Sequence, residues 1–216
     1  MSLKTRLAAC SAAMIAGVMM PGVPLTAFAQ VKPAIGKESG TASQHPPLTP
    51  MRDAEVTYAV QPKKFPKPLD VTVSFKAGGD FMRVDGPQHI ATTIFNRKDH
   101  FVTLILHQQK LYNRFSPKVG LRNPFMLDLS MAFTPQGQAN VAGLTCTRWA
   151  ITSRYGAATA CVTDDGIILS EEGVDADGVN GKLVAKQVSY RELPGSVFDV
   201  PAGYSALPVK SDKEKH

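Results

Sequence analysis

The chain has 216 residues, of which 44% are hydrophobic and 19% charged, and its formal net charge is +6. This mild basic excess does not by itself indicate nucleic-acid binding, and we predict none. The length suits one domain with a sizeable core, and no stretch after the N-terminal region is long and apolar enough to span a membrane.

Residues 1–29 have the three parts of a secretory signal peptide in the expected order. Lys4 and Arg6 form a short basic start, and an apolar run follows to about residue 20. Ala27-Phe28-Ala29 is then a small-x-small cleavage signal. We predict cleavage after Ala29 and export of a chain that begins at Gln30.

Residues 30–50 are rich in Pro, Gly, Ser and Thr and show no periodicity. This composition is typical of a disordered spacer. The last eight residues, 209–216 (VKSDKEKH), form a charged tail that we expect to be frayed. The folded domain is therefore predicted to cover residues 51–208.

Apolar and polar residues alternate at period two through most of this domain. The pattern is present in residues 55–60 and 71–76, and it recurs in 145–163 and 182–192. Short turn sequences rich in Gly, Asp and Pro separate the runs. The sequence predicts a mainly β domain made of short antiparallel strands.

One helix is predicted between Asn123 and Phe133. Asn123 can cap its N-terminus, and Pro124 suits the first helical position. Pro135 and Gly137 would end it. Its apolar face would consist of Phe125, Met126, Leu129 and Phe133.

Sequence motifs of catalytic or metal-binding sites are absent. There is no G-x-S-x-G elbow, no H-E-x-x-H, no pair of C-x-x-C motifs and no phosphate-binding glycine loop. Residues 175–181 resemble a calcium loop, but Val179 and Lys186 stand where an EF-hand needs oxygen ligands. His107 ends an apolar strand, and we predict that it is a surface or partly hydrogen-bonded histidine and not a catalytic base. We predict no cofactor, no metal and no catalytic residue, and a scattered catalytic triad stays open as an alternative.

The segment Pro62–Pro68 (PKKFPKP) is basic and contains one aromatic residue, Phe65. Such a segment can contact an anionic membrane surface or an acidic partner. A solvated loop stiffened by proline is the commoner structure for this composition.

Cys146 and Cys161 are the two cysteines beyond the predicted signal peptide. In an exported, oxidising compartment such a pair favours a disulfide, while a redox or metal role stays open. Residues 145–152 and 157–163 predict a hairpin. A tip near Ser153 and Arg154 would place the two cysteines directly opposite each other, within disulfide reach.

Two segments carry a resemblance to a known family. The first is FMRVDGPQHIATTIFNRKDHFVTLILHQQKLYNRF, residues 81–115, where a strand ending in Arg-x-Asp-Gly leads into successive strands. The second is SYRELPGSVFDVPAGYSAL, residues 189–207, which closes with Phe-Asp-Val-Pro-Ala-Gly-Tyr. With the strands between them, they make the chain resemble the LolA/LolB-like lipoprotein-carrier superfamily of exported bacterial proteins, including its uncharacterised periplasmic relatives.

This resemblance implies an incomplete, half-open antiparallel β-barrel whose apolar concave side is covered by one or a few helices. Members of the superfamily bind lipid acyl chains or lipid-modified partners there. The sequence departs from the carriers in having one clear predicted helix and an added disulfide hairpin. On this basis we expect an apolar groove lined by Phe75, Met82, Val84, Ile94, Leu104, Leu106 and Trp149.

The predicted function is that of a monomeric, non-catalytic periplasmic protein that holds a lipid, an acyl chain or a lipidated partner. Burial of acyl methylenes contributes about 0.8 kcal/mol each and needs few polar contacts. A cell-envelope interaction module with a filled core is the first alternative. A hydrolase with an unrecognised site is the second.

Overall fold

The computed structural model describes residues 44–118, 123–174 and 178–208. The predicted signal peptide, most of the predicted spacer and the predicted tail lie outside these ranges. Within the ranges, no helix has the length and apolar character needed to cross a membrane.

In the described part of the chain, twelve strands form one sheet that does not close on itself. In chain order the strands are β1 (Ala54–Pro62), β2 (Leu69–Phe75), β3 (Phe81–Asp85), β4 (Ala91–Asn96), β5 (Phe101–Leu106), β6 (Leu111–Phe115), β7 (Ala132–Val141), β8 (Leu144–Ser153), β9 (Gly156–Val162), β10 (Ile168–Val174), β11 (Asn180–Tyr190) and β12 (Ser205–Ala206). Their order in the sheet is β12-β6-β5-β4-β3-β2-β1-β11-β10-β9-β8-β7. The predicted mainly β, half-open antiparallel architecture is confirmed.

Strand β1 joins two antiparallel meanders, because it pairs with β2 on one side and with β11 on the other. Alternate β1 residues, Ala54, Val56 and Tyr58, are fully buried on the concave face. We call the end of the sheet where β1 finishes, at Pro62, the upper end. The turns that follow β1, β3, β5, β8 and β10 all lie there, since neighbouring strands run in opposite directions.

The helix predicted over residues 123–133 is not formed. Asn123 does accept a hydrogen bond from the Phe125 N–H through Oδ1 at 2.9 Å, but the segment continues as turns and Phe133 lies in β7. Phe125 and Leu127 are both buried, whereas Leu129 is 73% exposed. Burial of alternate residues on the concave face therefore overrides the local helix signals.

The last residues of the predicted spacer belong to the folded part of the chain. Pro46 and Pro50 are buried, and Leu48 packs against the main hydrophobic cluster. Gly166 has a φ of +89° and leaves the space that the Thr49 carbonyl occupies. Residues 44–50 thus lie along the concave side and cover part of it.

The C-terminal segment, residues 191–206, covers the opposite, convex face. Leu193 and Phe198 pack there on Ile94 and Ile105 to form a second hydrophobic cluster. The segment ends in β12, which pairs in parallel with β6. Each face of the sheet is therefore covered by irregular chain segments instead of α-helices.

Two carboxylates fix the C-terminal segment. Asp53 accepts hydrogen bonds from Lys76 Nζ at 2.7 Å and from the backbone N–H groups of Ala77 and Leu193 at 2.8 Å each. Burial would raise the pKa of Asp53, but these three donors outweigh it and hold the pKa below its ordinary value.

Asp85 is the second of these carboxylates. It forms a bidentate pair with Arg83, at 2.8 Å for each bond, and Arg83 donates to the Val197 carbonyl at 2.9 Å. Burial would raise the pKa of Asp85, but Arg83 and the Thr92 hydroxyl hold it below its ordinary value. Both acids are therefore ionised in the folded state at lower pH than in the unfolded chain.

The predicted hairpin is formed by β8 and β9, and its cysteines form a disulfide with Cα atoms 5.4 Å apart. The predicted register is wrong by one residue at the tip, because the turn lies at Arg154 and Tyr155. Cys161 consequently pairs with Arg148, and Cys146 is its diagonal neighbour. Both cysteines are buried in the main cluster together with Trp149.

Replacement of both cysteines, Cys146→Ala with Cys161→Ala, is expected to destabilise the fold by about 3 kcal/mol, the entropy that a closed loop of this size removes from the unfolded chain. Urea unfolding of the oxidised wild type and the double variant measures this difference. The wild type in reductant should behave like the variant. Equal stability of all three samples would contradict a structural role for the disulfide.

The free energy of unfolding is expected to stay level from neutral pH to about pH 4 and to fall below it. A carboxylate with a lowered folded-state pKa stabilises the fold above its unfolded pKa, and this contribution is lost as pH falls through the folded pKa. Asp85→Asn should lower stability at neutral pH by about 2 kcal/mol and should flatten the acid-side fall.

Asp199→Asn removes an exposed carboxylate of the same segment and serves as the control. Its stability should stay within about 0.5 kcal/mol of the wild type. An acid-side fall as steep in Asp85→Asn as in the wild type would show that Asp85 does not carry this pH dependence.

Candidate binding site

A cavity of about 180 Å³ opens on the concave face at the upper end of the sheet, between β1, β10 and β11. Its walls are mainly apolar. The lining residues are Val60, Pro62, Pro124, Glu171, Gly173, Val179, Gly181, Lys182 and Leu183. The site is thus built from the ends of three neighbouring strands and from Pro124 of the segment before β7.

Two glycines that face each other across β10 and β11 explain why the sheet leaves space here. Gly173 is paired with Gly181, and Gly181 is paired in turn with Pro62. A Cβ atom on Gly181 would lie 2.8 Å from the Gln61 carbonyl oxygen, and Gly173 has a φ of +130°. Neither position accepts a side chain without movement of the backbone, so no side chain projects from this part of the wall.

Two charged residues line the cavity, Glu171 and Lys182, and only Glu171 is buried. Glu171 is 6% exposed and lies between Ala160 and Leu183 in the strand register. Lys182 pairs with Glu172 at 3.2 Å at the surface. The polar groups are therefore few, which is usual for a site that binds an apolar ligand.

Tyr58 lies on the same face of β1, two residues from Val60, and donates its hydroxyl hydrogen to the Ile168 carbonyl at 2.8 Å. Burial, with smaller contributions from the charges of Tyr190 and Glu171, raises the pKa of Tyr58 far above its ordinary value. The phenol is therefore neutral at any physiological pH, and its role is to anchor the core.

Below the cavity, the concave side is filled by the chain itself. The Phe125 ring packs on the Tyr58 ring with centroids 5.1 Å apart, and Phe125 is 7% exposed. The remaining void between residues 47–50 and residues 125–127 is only about 10 Å³. The residues that the structure describes therefore leave no continuous groove along the whole concave side.

The structure distributes the seven predicted groove residues over different places. Phe75, Met82 and Trp149 are buried in the main cluster, and Val84 packs against it. Leu104 and Leu106 are half-buried on β5. None of the seven lines the 180 Å³ cavity.

Ile94 lies on the convex face, which corrects its predicted place in the groove. It pairs with Arg83 and Thr103, whereas Val84 pairs with Thr93. Directly paired residues share a face, and successive residues alternate, so Val84 and Ile94 must point to opposite sides. Ile94 packs under the C-terminal segment with Leu193.

A row of polar side chains on the convex face bears on the hydrolase alternative. Thr92 donates its hydroxyl hydrogen to Asp85 and lies 2.8 Å from His107 Nε2, while His107 Nδ1 lies 2.9 Å from the Tyr204 hydroxyl. Because Thr92 has one hydrogen and gives it to Asp85, Nε2 must donate to Thr92 Oγ1. His107 is thus not placed as a base for this hydroxyl.

Thr92 is also 0% exposed, and none of these residues lines a described cavity. In the part of the chain that the structure describes, no group of three or more His, Cys, Asp or Glu side chains is placed to hold a metal ion. The polar row therefore serves to dock Tyr204 onto the sheet.

No protein-family model matches the chain, and no curated protein is similar to it in sequence. Among solved structures, an uncharacterised conserved protein from Thermus thermophilus matches with a TM-score of 0.51 at 12% identity, over 73% of this chain and 90% of that one. This likeness shows a shared fold.

Two further matches are weaker. The structure of the Pseudomonas aeruginosa MucA/MucB complex matches with a TM-score of 0.49 at 12% identity, over 73% of this chain and 58% of the matched chain. A LolA superfamily protein from Nitrosomonas europaea matches with a TM-score of 0.30 at 16% identity, over 70% of this chain and 92% of that one.

Phe125→Ala should extend the cavity down the concave side, because it removes the ring that packs on Tyr58. We expect a loss of about 3–4 kcal/mol in unfolding free energy, as for other buried phenylalanines. If a fluorescent fatty acid binds in the cavity on the concave face, it should bind the variant at least as tightly as the wild type. Leu129→Ala, at an exposed residue of the same segment, is the control and should change neither quantity.

Proposed function

We propose that the protein is a non-catalytic binding protein of the cell envelope that holds one apolar chain, of a lipid or of an acylated partner, in the upper cavity. The observation that carries this proposal is the aliphatic cavity between β1, β10 and β11. Ligand pockets usually measure about 300–1,000 Å³. A site of about 180 Å³ therefore suits the end of one chain better than a whole lipid.

Export to the periplasm is part of the proposal. Its supports are the basic, apolar and small-residue parts of residues 1–29 and the disulfide between Cys146 and Cys161. Disulfides of this kind persist in oxidising compartments. An acylated or lipid ligand would also be available there, in the membranes that border the compartment.

A protein-interaction module of the envelope is the second candidate. It is favoured by the filling of the concave side, where Phe125 and Leu127 are buried and residues 47–50 close the remaining space. In such a module the concave side is core, and a partner binds an outer surface. The two candidates differ in whether the upper cavity takes a ligand.

Val60→Trp tests the proposal, because an indole at this position would occupy the cavity. Titration with a fluorescent fatty acid should show binding to the wild type and at least tenfold weaker binding to Val60→Trp, a difference of about 1.4 kcal/mol. Native mass spectrometry of both proteins purified from the periplasm should show a lipid adduct in the wild type that the variant lacks.

Ala59→Trp is the matched control, since Ala59 is the adjacent residue of β1 and points to the other face. It introduces the same side chain and should leave fatty-acid binding unchanged. No binding by the wild type, together with an adduct-free mass, would favour the interaction module. Equal loss in both variants would place the ligand elsewhere.

A further inference from the structure

Most of the exposed large hydrophobic side chains in the described part of the chain lie at the upper end of the sheet. They come from separate turns or strand ends of the sheet. These residues are Phe65, Leu69, Ile90, Tyr155 and Val179. An end of a sheet with several exposed apolar tips is typical of an interaction surface.

The turn between β1 and β2 presents the most prominent of these tips. Phe65 is 51% exposed, and its N–H donates to the Pro62 carbonyl at 2.8 Å. The Lys63 N–H donates to the Asn180 carbonyl at 2.8 Å, which ties the turn to the start of β11. Pro66 and Pro68 restrict the backbone further. The aromatic ring is thus held outward on a stiff support.

Positive charge surrounds this ring. Lys63, Lys64 and Lys67 are exposed, and none of the ion pairs found in residues 44–118, 123–174 and 178–208 involves them. Among the residues that the structure describes, the exposed carboxylates on the neighbouring strands are paired, Asp70 with Lys186 at 2.8 Å and Glu172 with Lys182 at 3.2 Å.

The turn between β8 and β9 adds a second basic and aromatic tip. The Arg154 guanidinium lies 4.8 Å from the centre of the Tyr155 ring and donates to the Tyr155 hydroxyl at 2.6 Å. Gly178 lies beside this ring, so the tip adjoins Val179 at the rim of the cavity. Basic and aromatic groups therefore flank the cavity on two sides.

We propose that the upper end docks on a bilayer surface that carries anionic lipid, with the lysines of the β1–β2 turn at the headgroups and Phe65 at the interface. Uncompensated lysines attract an anionic surface, and an aromatic ring prefers the boundary between headgroups and hydrocarbon. Docking in this orientation would turn the mouth of the cavity towards the bilayer. It requires the turn and its charges and does not depend on what the cavity holds.

Co-sedimentation of the exported protein with vesicles tests this inference. We expect binding to vesicles of phosphatidylglycerol mixed with phosphatidylcholine, and none to phosphatidylcholine alone. The variant Lys63→Gln, Lys64→Gln, Lys67→Gln should bind on the order of 100-fold more weakly, because each lysine near an anionic surface contributes about a fivefold factor. Phe65→Ser should lose the part of the binding that persists in high salt.

The control variant Arg97→Gln, Lys98→Gln, Lys118→Gln removes the same charge away from the upper end and should bind like the wild type. Absence of binding by the wild type would overturn the inference. Equal weakening in both triple variants would also overturn it, because net charge alone would then explain the attraction.

Val60→Trp separates this inference from the proposed function. It should leave vesicle binding unchanged while it removes fatty-acid binding. If the wild type binds fatty acid but not vesicles, membrane docking is refuted and the proposed function stands. If it binds vesicles but not fatty acid, the proposed ligand-binding function is refuted and membrane docking stands.

Discussion

A single open sheet has two faces, and both must be shielded from water; this constraint determines the rest of the structure. The described residues contain no α-helix that could shield either face. Residues 44–50 and 123–127 cover the concave side, and residues 191–204 cover the convex side. The packing of Phe125 on Tyr58 is the centre of this arrangement, because it joins a covering segment to the strand that connects the two meanders.

Irregular segments have few ladder hydrogen bonds, so side chains must hold them. Asp53 and Asp85 do this for the C-terminal segment, and Asp165 does it for the N-terminal one. Arg52 donates to Asp165 at 2.6 Å and stacks over the Tyr190 ring at 3.4 Å. Burial would raise the pKa of Asp165, but Thr163, Arg52 and Tyr190 hold it below its ordinary value. Charge-assisted hydrogen bonds thus replace the helix packing that the family resemblance implies.

The sequence predicts the features that depend on local periodicity. It does not predict the features that depend on pairing between strands far apart in the chain. Alternation around Val56 and Tyr58 identifies β1 because burial on one face leaves a period-two pattern. The Asn123-Pro124 pair suits a helix start and a turn equally well, and only the buried concave face selects the turn. Ile94 could not be assigned to a face without the register that pairs it with Arg83. The cavity needs Gly173 and Gly181 to meet across two strands, and isolated glycines inside strand patterns were the signal that could have indicated it.

The two ends of the sheet differ, and this difference determines the end at which the cavity opens. At the lower end, the Met51 N–H donates to the Asp165 carbonyl and the Gly78 N–H to the Pro50 carbonyl, each at 2.8 Å. These bonds hold the N-terminal segment across that end. At the upper end, Gly173 and Gly181 leave the concave face open beside Pro62. An apolar ligand of the kind proposed would therefore enter from the upper end, past the turn that carries Phe65 and its lysines. The proposed docking surface and the mouth of the cavity are thus formed by the same strand ends.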